Sequence, residues 1–244
     1  IIVFLYGCVI GSFVNVCIYR IPQGEDVIKK SSHCMKCNHI LRWYDLVPVI
    51  SFLILKGKCR YCGTKLSPQY PVIEVLNGIL YCLIFSHKGI TVNSIIYCLF
   101  VSALLALSVI DFRTYEIPIS INGFILILGI LHVMLNSQKF WNYVLGFVSV
   151  SAGLWIIYCL TRGRGIGGGD LKLMAVSGLL LGWKENILAF FIACILGSVI
   201  HIVRMKIEKA GNVLAMGPYL AAGIFISLLW GEHFISWYLK MLGI

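Results

Sequence analysis

Long runs of apolar residues dominate the chain, and short polar segments separate them. A run of about 18 to 22 apolar residues is long enough to cross a bilayer as a helix. Eight segments have this character, although the second and the sixth are short: 1–19, 71–86, 90–110, 117–135, 140–160, 170–183, 187–203 and 217–239. The pattern predicts an all-α polytopic membrane protein with about eight transmembrane helices.

One long polar segment interrupts this pattern, at residues 20–70. Composition supports the division, because 59% of the residues are hydrophobic and only 12% are charged, which is unlike a soluble domain. We therefore predict three parts: a first transmembrane helix at 1–19, a small soluble insertion at 20–70 and a polytopic membrane core at 71–244.

The positive charge of the chain is unevenly distributed. The formal net charge is +10, which in a soluble protein would suggest a nucleic-acid partner. If the eight spans alternate from an outside N-terminus, 16 of the 20 Lys and Arg residues fall on one side, in 20–70, 111–116, 161–172 and 204–216. Because loops rich in Lys and Arg stay in the cytoplasm, we predict that these segments are cytoplasmic. The expected partner of this charge is the lipid bilayer, not nucleic acid.

Two CxxC pairs lie in the polar insertion, with 21 residues between them. Paired CxxC turns at about this separation predict a zinc site with four thiolate ligands, Cys34, Cys37, Cys59 and Cys62. Asn38 and Gly63, which follow the two pairs, suit the tight turns that such ligands need. The alternative interpretation is two structural disulfides, but cytoplasmic thiols stay reduced. In a segment this small, metal would supply folding energy.

Two aspartates stand at the ends of predicted membrane spans. Asp111 ends the third span and Asp170 begins the sixth, whereas the two other aspartates lie in the polar insertion. A carboxylate at the edge of the hydrocarbon is costly, so its first interpretation is functional. Two facing carboxyl groups that share one proton can activate water for peptide hydrolysis. The alternative for Asp111 is an interfacial residue paired with Arg113.

Three glycines, Gly167, Gly168 and Gly169, immediately precede Asp170. Glycines permit unusual φ values and let a substrate backbone approach closely, even as an added strand. A glycine-rich loop before a helix can also cradle phosphate, but the spacing here fits neither a Walker loop nor a dinucleotide motif. A third interpretation is an ordinary interhelical turn.

The first two predicted spans contain two further features, an acidic residue and a pair of glycines. Glu74 lies about one turn into the second span, where it either faces a cavity or a basic partner, or caps the start of the helix. Gly7 and Gly11 form a GxxxG pattern in the first span, which predicts close helix packing.

The chain resembles the bifunctional prepilin peptidases, also called type IV leader peptidases, over nearly its full length. The resemblance rests on the two CxxC pairs and on five further segments in the family's order, GCVIGSFVNVCIYRIP, YPVIEVLNG, IDFRTYEIP, GGGDLKLMA and MGPYLAAG. It implies a polytopic GxGD-type aspartic protease in a bacterial plasma membrane. The matching positions make Asp111 and Asp170 the catalytic pair and Gly167 and Gly169 the fixed glycines of GxGD.

The resemblance also implies substrates and cofactors. The expected substrates are type IV prepilins or pseudopilins, which serve adhesion, secretion or DNA uptake. The four cysteines match the family's zinc-binding insertion, which accompanies N-methyltransferase activity with S-adenosylmethionine as the methyl donor. One departure is that many members carry a second aspartate after the Ile-Pro pair, where this chain has Ile119-Ser120. Its absence removes a rival to Asp111.

Two rival hypotheses remain. One is a GxGD intramembrane protease of the presenilin or signal-peptide-peptidase type, which carries its first aspartate in a Tyr-Asp pair; here Ile110 precedes Asp111. The other is a cation transporter or membrane scaffold, which would more naturally place its carboxylates near the middle of the bilayer, in repeated halves.

Overall fold

A computed structural model describes residues 1–163, 165–208 and 214–243 of the chain. Within these ranges it is all-helical, apart from two isolated β-bridges in the polar insertion. The helices are α1 (Ile2–Arg20), α2 (Ile50–Ile54), α3 (Gln69–Lys88), α4 (Val92–Thr114), α5 (Ile119–Leu135), α6 (Phe140–Thr161), α7 (Gly168–Leu181), α8 (Trp183–Glu208) and α9 (Gly217–Met241). The predicted all-α class is confirmed.

Eight of these helices coincide with the eight predicted apolar segments, and the remaining one, α2, lies in the insertion. Six helical segments of the described chain are long and apolar enough to cross a membrane; α5 is apolar but has only 17 residues, and α7 has 14. The second segment is longer than predicted, because α3 takes in polar residues at both ends, from Gln69 to Lys88. The chain is therefore a multi-pass membrane protein.

The chain forms two compact units, Ile1–Ala106 and Leu107–Ile244. The predicted boundaries at 19/20 and 70/71 follow the expected membrane position of the chain rather than its compactness, and they stay a prediction. Two of the basic residues counted for the predicted topology, Arg164 and Lys209, lie outside the described residues.

In the first unit, α1 and α3 pack closely through small residues. A Cβ atom on Gly7 would lie 2.6 Å from the Cα of Gly78, and one on Gly11 would lie 2.8 Å from the Cα of Glu74. The side-chain amide of Asn77 then reaches across and donates to the carbonyl oxygen of Gly7, at 2.7 Å. The close packing predicted from the GxxxG pattern is confirmed.

In the second unit, α6 and α7 also pack closely through small residues. The backbones of Gly146 and Gly178 approach so closely that neither residue has room for a Cβ atom. Asn186 of α8 donates from its amide to the carbonyl oxygens of Gly146 and Met174, each at 3.0 Å, so a polar side chain ties three helices together.

Candidate active site and candidate metal centre

Asp111 lies in the last turn of α4 and is only 4% exposed. Its Oδ2 accepts a hydrogen bond of 2.8 Å from the backbone N–H of Gly217, the first residue of α9. The N-terminal N–H groups of a helix have no partner within the helix and carry partial positive charge, so they stabilise a carboxylate. The start of α9 therefore holds and orients the Asp111 carboxylate.

Gly217 has no space for a side chain. A Cβ atom there would lie 2.8 Å from Oδ2 of Asp111 and 2.9 Å from its Cβ. Pro218 follows it in the first turn of α9, where proline's fixed φ favours a helix start. Sequence reasoning assigned no role to Gly217, and its only signal was its place in the segment MGPYLAAG.

Asp170 lies in the first turn of α7, the expected place for a carboxylate that benefits from the helix dipole. It is partly exposed, unlike Asp111. The two carboxyl groups are close enough for the charge of Asp111 to act on Asp170. The fold of residues 107–244 thus brings together two aspartates that are 59 positions apart in the sequence.

The three glycines before Asp170 differ in their surroundings. A Cβ atom on Gly169 would lie 2.8 Å from the Cβ of Ile117, and one on Gly167 would lie 3.0 Å from Oδ2 of Asp170. Gly168 has ordinary space, with its nearest neighbour 3.8 Å away. None of the three has a positive φ, so the glycines do not use the conformational freedom that they permit. Gly169 therefore leaves no room for a side chain beside Ile117, and Gly167 lies tightly against the Asp170 carboxyl group.

The four predicted cysteines form one cluster. Their sulfurs lie within 4.8 Å of one another, and Sγ of Cys34 is 3.8 Å from Sγ of Cys62. A tetrahedral site with Zn–S bonds of about 2.3 Å separates its sulfurs by about 3.8 Å. The four thiols are free, and no disulfide links them. The donor set and its spacing therefore fit a zinc ion.

Both CxxC turns have the same local structure. In the first, Cys34 N–H donates to the His39 carbonyl at 3.0 Å, and in the second Cys59 N–H donates to the Thr64 carbonyl at 2.8 Å. Each turn is flanked by one β-bridge, and each has one residue with positive φ, Asn38 at 56° and Gly63 at 70°. The tight turns predicted for these two residues are confirmed.

Asp45 joins the metal cluster to the rest of the insertion. Its side chain is 2% exposed and accepts a 2.7 Å hydrogen bond from Nε of Arg60, which lies inside the second CxxC turn. Burial raises the pKa of Asp45, but hydrogen bonds from Arg60 and from the backbone N–H of Arg42 outweigh it, so the pKa lies below its usual value. Asp45 is therefore ionised, and its hydrogen bonds connect the second CxxC turn to the backbone at Arg42.

Glu74 lies in the second turn of α3, beyond the position of a helix cap, and is 6% exposed. It accepts a hydrogen bond of 2.7 Å from the backbone N–H of Val49, a residue of the insertion whose φ is +62°. It also lines a cavity of about 510 Å³ in the first unit. No ion pair involves Glu74 in the ranges that the structure describes.

These features define a multi-pass membrane protein with a carboxyl pair at helix ends and a thiol cluster suited to zinc. Residues 5–88 match the bacterial peptidase A24 N-terminal domain, and residues 98–202 match the type IV leader peptidase family. A prepilin leader peptidase/N-methyltransferase of Bacillus subtilis is 32% identical, over 98% of each chain. The chain belongs to the type IV leader peptidase family.

Two further relatives carry the same description. The protein of Stutzerimonas stutzeri is 30% identical over 96% of this chain and 91% of its own length. That of Pseudomonas aeruginosa is 27% identical over 98% of this chain and 93% of its own length. No solved structure shows significant similarity to the chain. Membership of this family favours a leader peptidase over the presenilin-type and cation-transport alternatives.

Proposed function

We propose that this protein cleaves the leader peptide from type IV prepilins or pseudopilins and then methylates the new N-terminus. The observation that carries the peptidase half is that Asp111 and Asp170 stand at helix ends in one compact unit, near enough for the charge of one to act on the other. The observation that carries the methyltransferase half is the thiol cluster of the insertion, together with relatives that are named for both activities.

Peptide hydrolysis needs one group that accepts a proton and one that donates a hydrogen bond. In the proposed mechanism, the ionised carboxylate of the pair takes a proton from water, and the water oxygen attacks the scissile carbonyl carbon. The protonated carboxyl donates to the carbonyl oxygen, and a proton passes to the leaving amine as the C–N bond breaks. A coupled pair titrates as a unit, so these roles belong to Asp111 and Asp170 jointly.

The backbone around the pair is suited to an extended substrate. Gly167 and Gly169 have no side chains that would block access to Asp170. The backbone N–H of Gly217 holds the Asp111 carboxylate. By the charge distribution, we place the active site and the insertion on the cytoplasmic face of a bacterial inner membrane. The substrate's apolar helix would then lie in the bilayer and its leader in the cytoplasm.

The methyltransferase half requires two groups that this chain would hold. The cysteines Cys34, Cys37, Cys59 and Cys62 would hold zinc, which supplies folding energy to an insertion with few buried apolar side chains. S-adenosylmethionine supplies, when bound, a methyl group activated by a positive sulfur. The chain's own contribution is to bind this donor and to present the pilin amine to it.

The direct test of the proposed function is the mass of a processed prepilin. A prepilin co-expressed with this protein should lose its leader and gain the mass of one methyl group at its new N-terminus, as measured by mass spectrometry. Loss of the leader without that added mass would contradict the methyltransferase half. An intact prepilin beside folded, membrane-inserted enzyme would contradict the peptidase half.

We expect about one zinc ion per chain, and replacement of any one of the four cysteines should remove it. Cys59→Ser removes one buried thiolate, so zinc content should fall at least about tenfold, and methylation should fall with it. Leader cleavage should persist, because Asp111 and Asp170 belong to the other compact unit. Zinc is measured by elemental analysis of protein purified without chelator.

Cys159→Ser is the matched control for this experiment. Cys159 is an exposed cysteine of α6, far in sequence from the cluster, and its replacement should leave the zinc content unchanged. Wild-type protein that carries no zinc, or a Cys59→Ser variant that retains it, would contradict the predicted centre.

A further inference from the structure

We propose that the cavity of the first unit is the binding site for the methyl donor S-adenosylmethionine, with Glu74 facing a positive group of the donor and Arg20 facing its carboxylate. This inference rests on the methyltransferase half of the proposed function. It goes beyond that function because it assigns the binding site and names the residues that recognise the charged groups of the donor.

The cavity lies entirely within residues 1–106, among α1, the start of α3 and the insertion. Its volume of about 510 Å³ falls in the range of about 300–1,000 Å³ that is typical of cofactor sites. Its wall combines apolar side chains of the insertion, such as Leu41, Leu46 and Leu55, with many polar groups and eight charged side chains. A wall of this kind suits an organic cofactor that carries charged groups.

Glu74 is a buried carboxylate in this wall that has no ion-pair partner among the described residues, unlike Asp45, which pairs with Arg60. Only 6% of the residue is exposed, and among the described residues no basic side chain forms an ion pair with it. The Val49 N–H and the Ser12 hydroxyl are neutral donors, and they satisfy only part of the carboxylate's capacity. A buried carboxylate without a cationic partner is costly, so a positively charged ligand group in the cavity would relieve that cost.

Arg20 is a buried basic residue in the same wall, at 8% exposure. Its guanidinium donates to backbone carbonyls of Lys30 and Ser31, at 2.7 and 3.2 Å, and to those of Asp26 and Val27. These bonds fix the guanidinium, and the carboxylates of Glu25 and Asp26 interact with it electrostatically, but no residue of the described chain forms an ion pair with it. Arginine is the side chain best suited to bind a carboxylate.

Arg20 and Glu74 line one cavity and form no ion pair with each other. A wall with separate, fixed charges of opposite sign is complementary to a ligand that also carries both signs. The amino-acid end of S-adenosylmethionine has this character, since it combines a carboxylate with an ammonium and a sulfonium group. A purely anionic or purely cationic ligand would leave either Glu74 or Arg20 unmatched.

Two aromatic residues and two thiols of the cavity wall also suit S-adenosylmethionine. The rings of Tyr19 and Tyr70 stack with centroids 5.6 Å apart, and both residues line the cavity. Aromatic faces suit a planar base or a sulfonium cation. The buried thiols Cys34 and Cys59 also belong to the wall, so the metal centre shapes the cavity. This arrangement gives a physical reason for a zinc insertion in a methyltransferase.

Direct binding of S-adenosylmethionine to the full chain tests the inference. Glu74→Gln keeps an acceptor for the Val49 N–H but removes the negative charge. We expect the Kd for S-adenosylmethionine, measured by calorimetry on purified protein in nanodiscs, to rise at least about tenfold. The matched control is Glu232→Gln, which makes the same change at an exposed carboxylate of α9, outside the cavity wall, and should leave the Kd unchanged.

A second variant tests the location independently of Glu74. Val16→Trp should fill part of the cavity and reduce binding at least about tenfold, while leader cleavage shows that each variant is folded. Wild-type affinity in both folded variants would overturn the assigned site and leave the proposed function standing. Absence of binding to wild-type protein would overturn the site together with the methyltransferase half of that function.

Discussion

Asp111→Asn and Asp170→Asn should each lower the rate of leader cleavage by at least about a thousandfold. Asparagine has nearly the size of aspartate, but its amide cannot take a proton from water, and it cannot share a proton with a second carboxyl group. At Asp111 the amide oxygen of asparagine can still accept the 2.8 Å hydrogen bond from Gly217. The local structure should therefore survive, and the loss should appear in catalysis.

The measurement is the initial rate of prepilin cleavage by purified, membrane-reconstituted protein. Asp26→Asn is the control for a change of the same chemistry at an exposed position, and it should cleave at the wild-type rate. Binding of S-adenosylmethionine should be retained in both active-site variants, because the proposed donor site lies in the other compact unit. Substantial cleavage by either active-site variant would contradict the aspartate pair.

Gly217→Ala should lower leader cleavage by about a hundredfold, which is the scale expected when a catalytic group is displaced by about 1 Å. The new methyl group would lie 2.8 Å from Oδ2 of Asp111 and 2.9 Å from its Cβ, so either α9 or the carboxylate has to move. The hydrogen bond that orients Asp111 would be lost or bent by the same movement. Neither carboxyl group changes chemically in this variant.

The control is Gly153→Ala, in the helix α6 of the same compact unit. A Cβ atom at Gly153 meets nothing within 4 Å, and alanine is the better helix former, so activity and stability should not fall. Rates for both variants are compared at equal amounts of folded protein. Equal rates for Gly217→Ala and wild type would show that the start of α9 does not position Asp111.

The sequence predicted the elements better than it predicted their functional contacts. The apolar runs located eight helices, because burial in lipid selects apolar residues over the whole length of a span. The CxxC pairs and the small residues Asn38 and Gly63 located the two metal-binding turns, since those turns are built from local backbone geometry. Both signals depend on neighbouring positions and not on the rest of the fold.

The role of the glycine-rich segment could not be derived in this way. The sequence indicated that Gly167, Gly168 and Gly169 could adopt unusual φ values, but none has a positive φ, and the constraint is the nearness of Ile117 and Asp170. Asp170 is a neighbour in sequence, but the Ile117 atoms come from a segment 52 positions before Gly169. Such a constraint becomes visible only when the two segments are packed together.

By itself, the sequence determined the class of protein, the helices, the likeness to a family and the residues able to carry the chemistry, because these follow from hydrophobic runs and short motifs. Only the tertiary structure decided which groups meet. It placed the Gly217 N–H on Asp111, and it placed Arg20 and Glu74 in one cavity without pairing them. The physical reason is that a carboxylate's partners, and hence its role, depend on contacts between residues far apart in the chain, and no local pattern records those contacts.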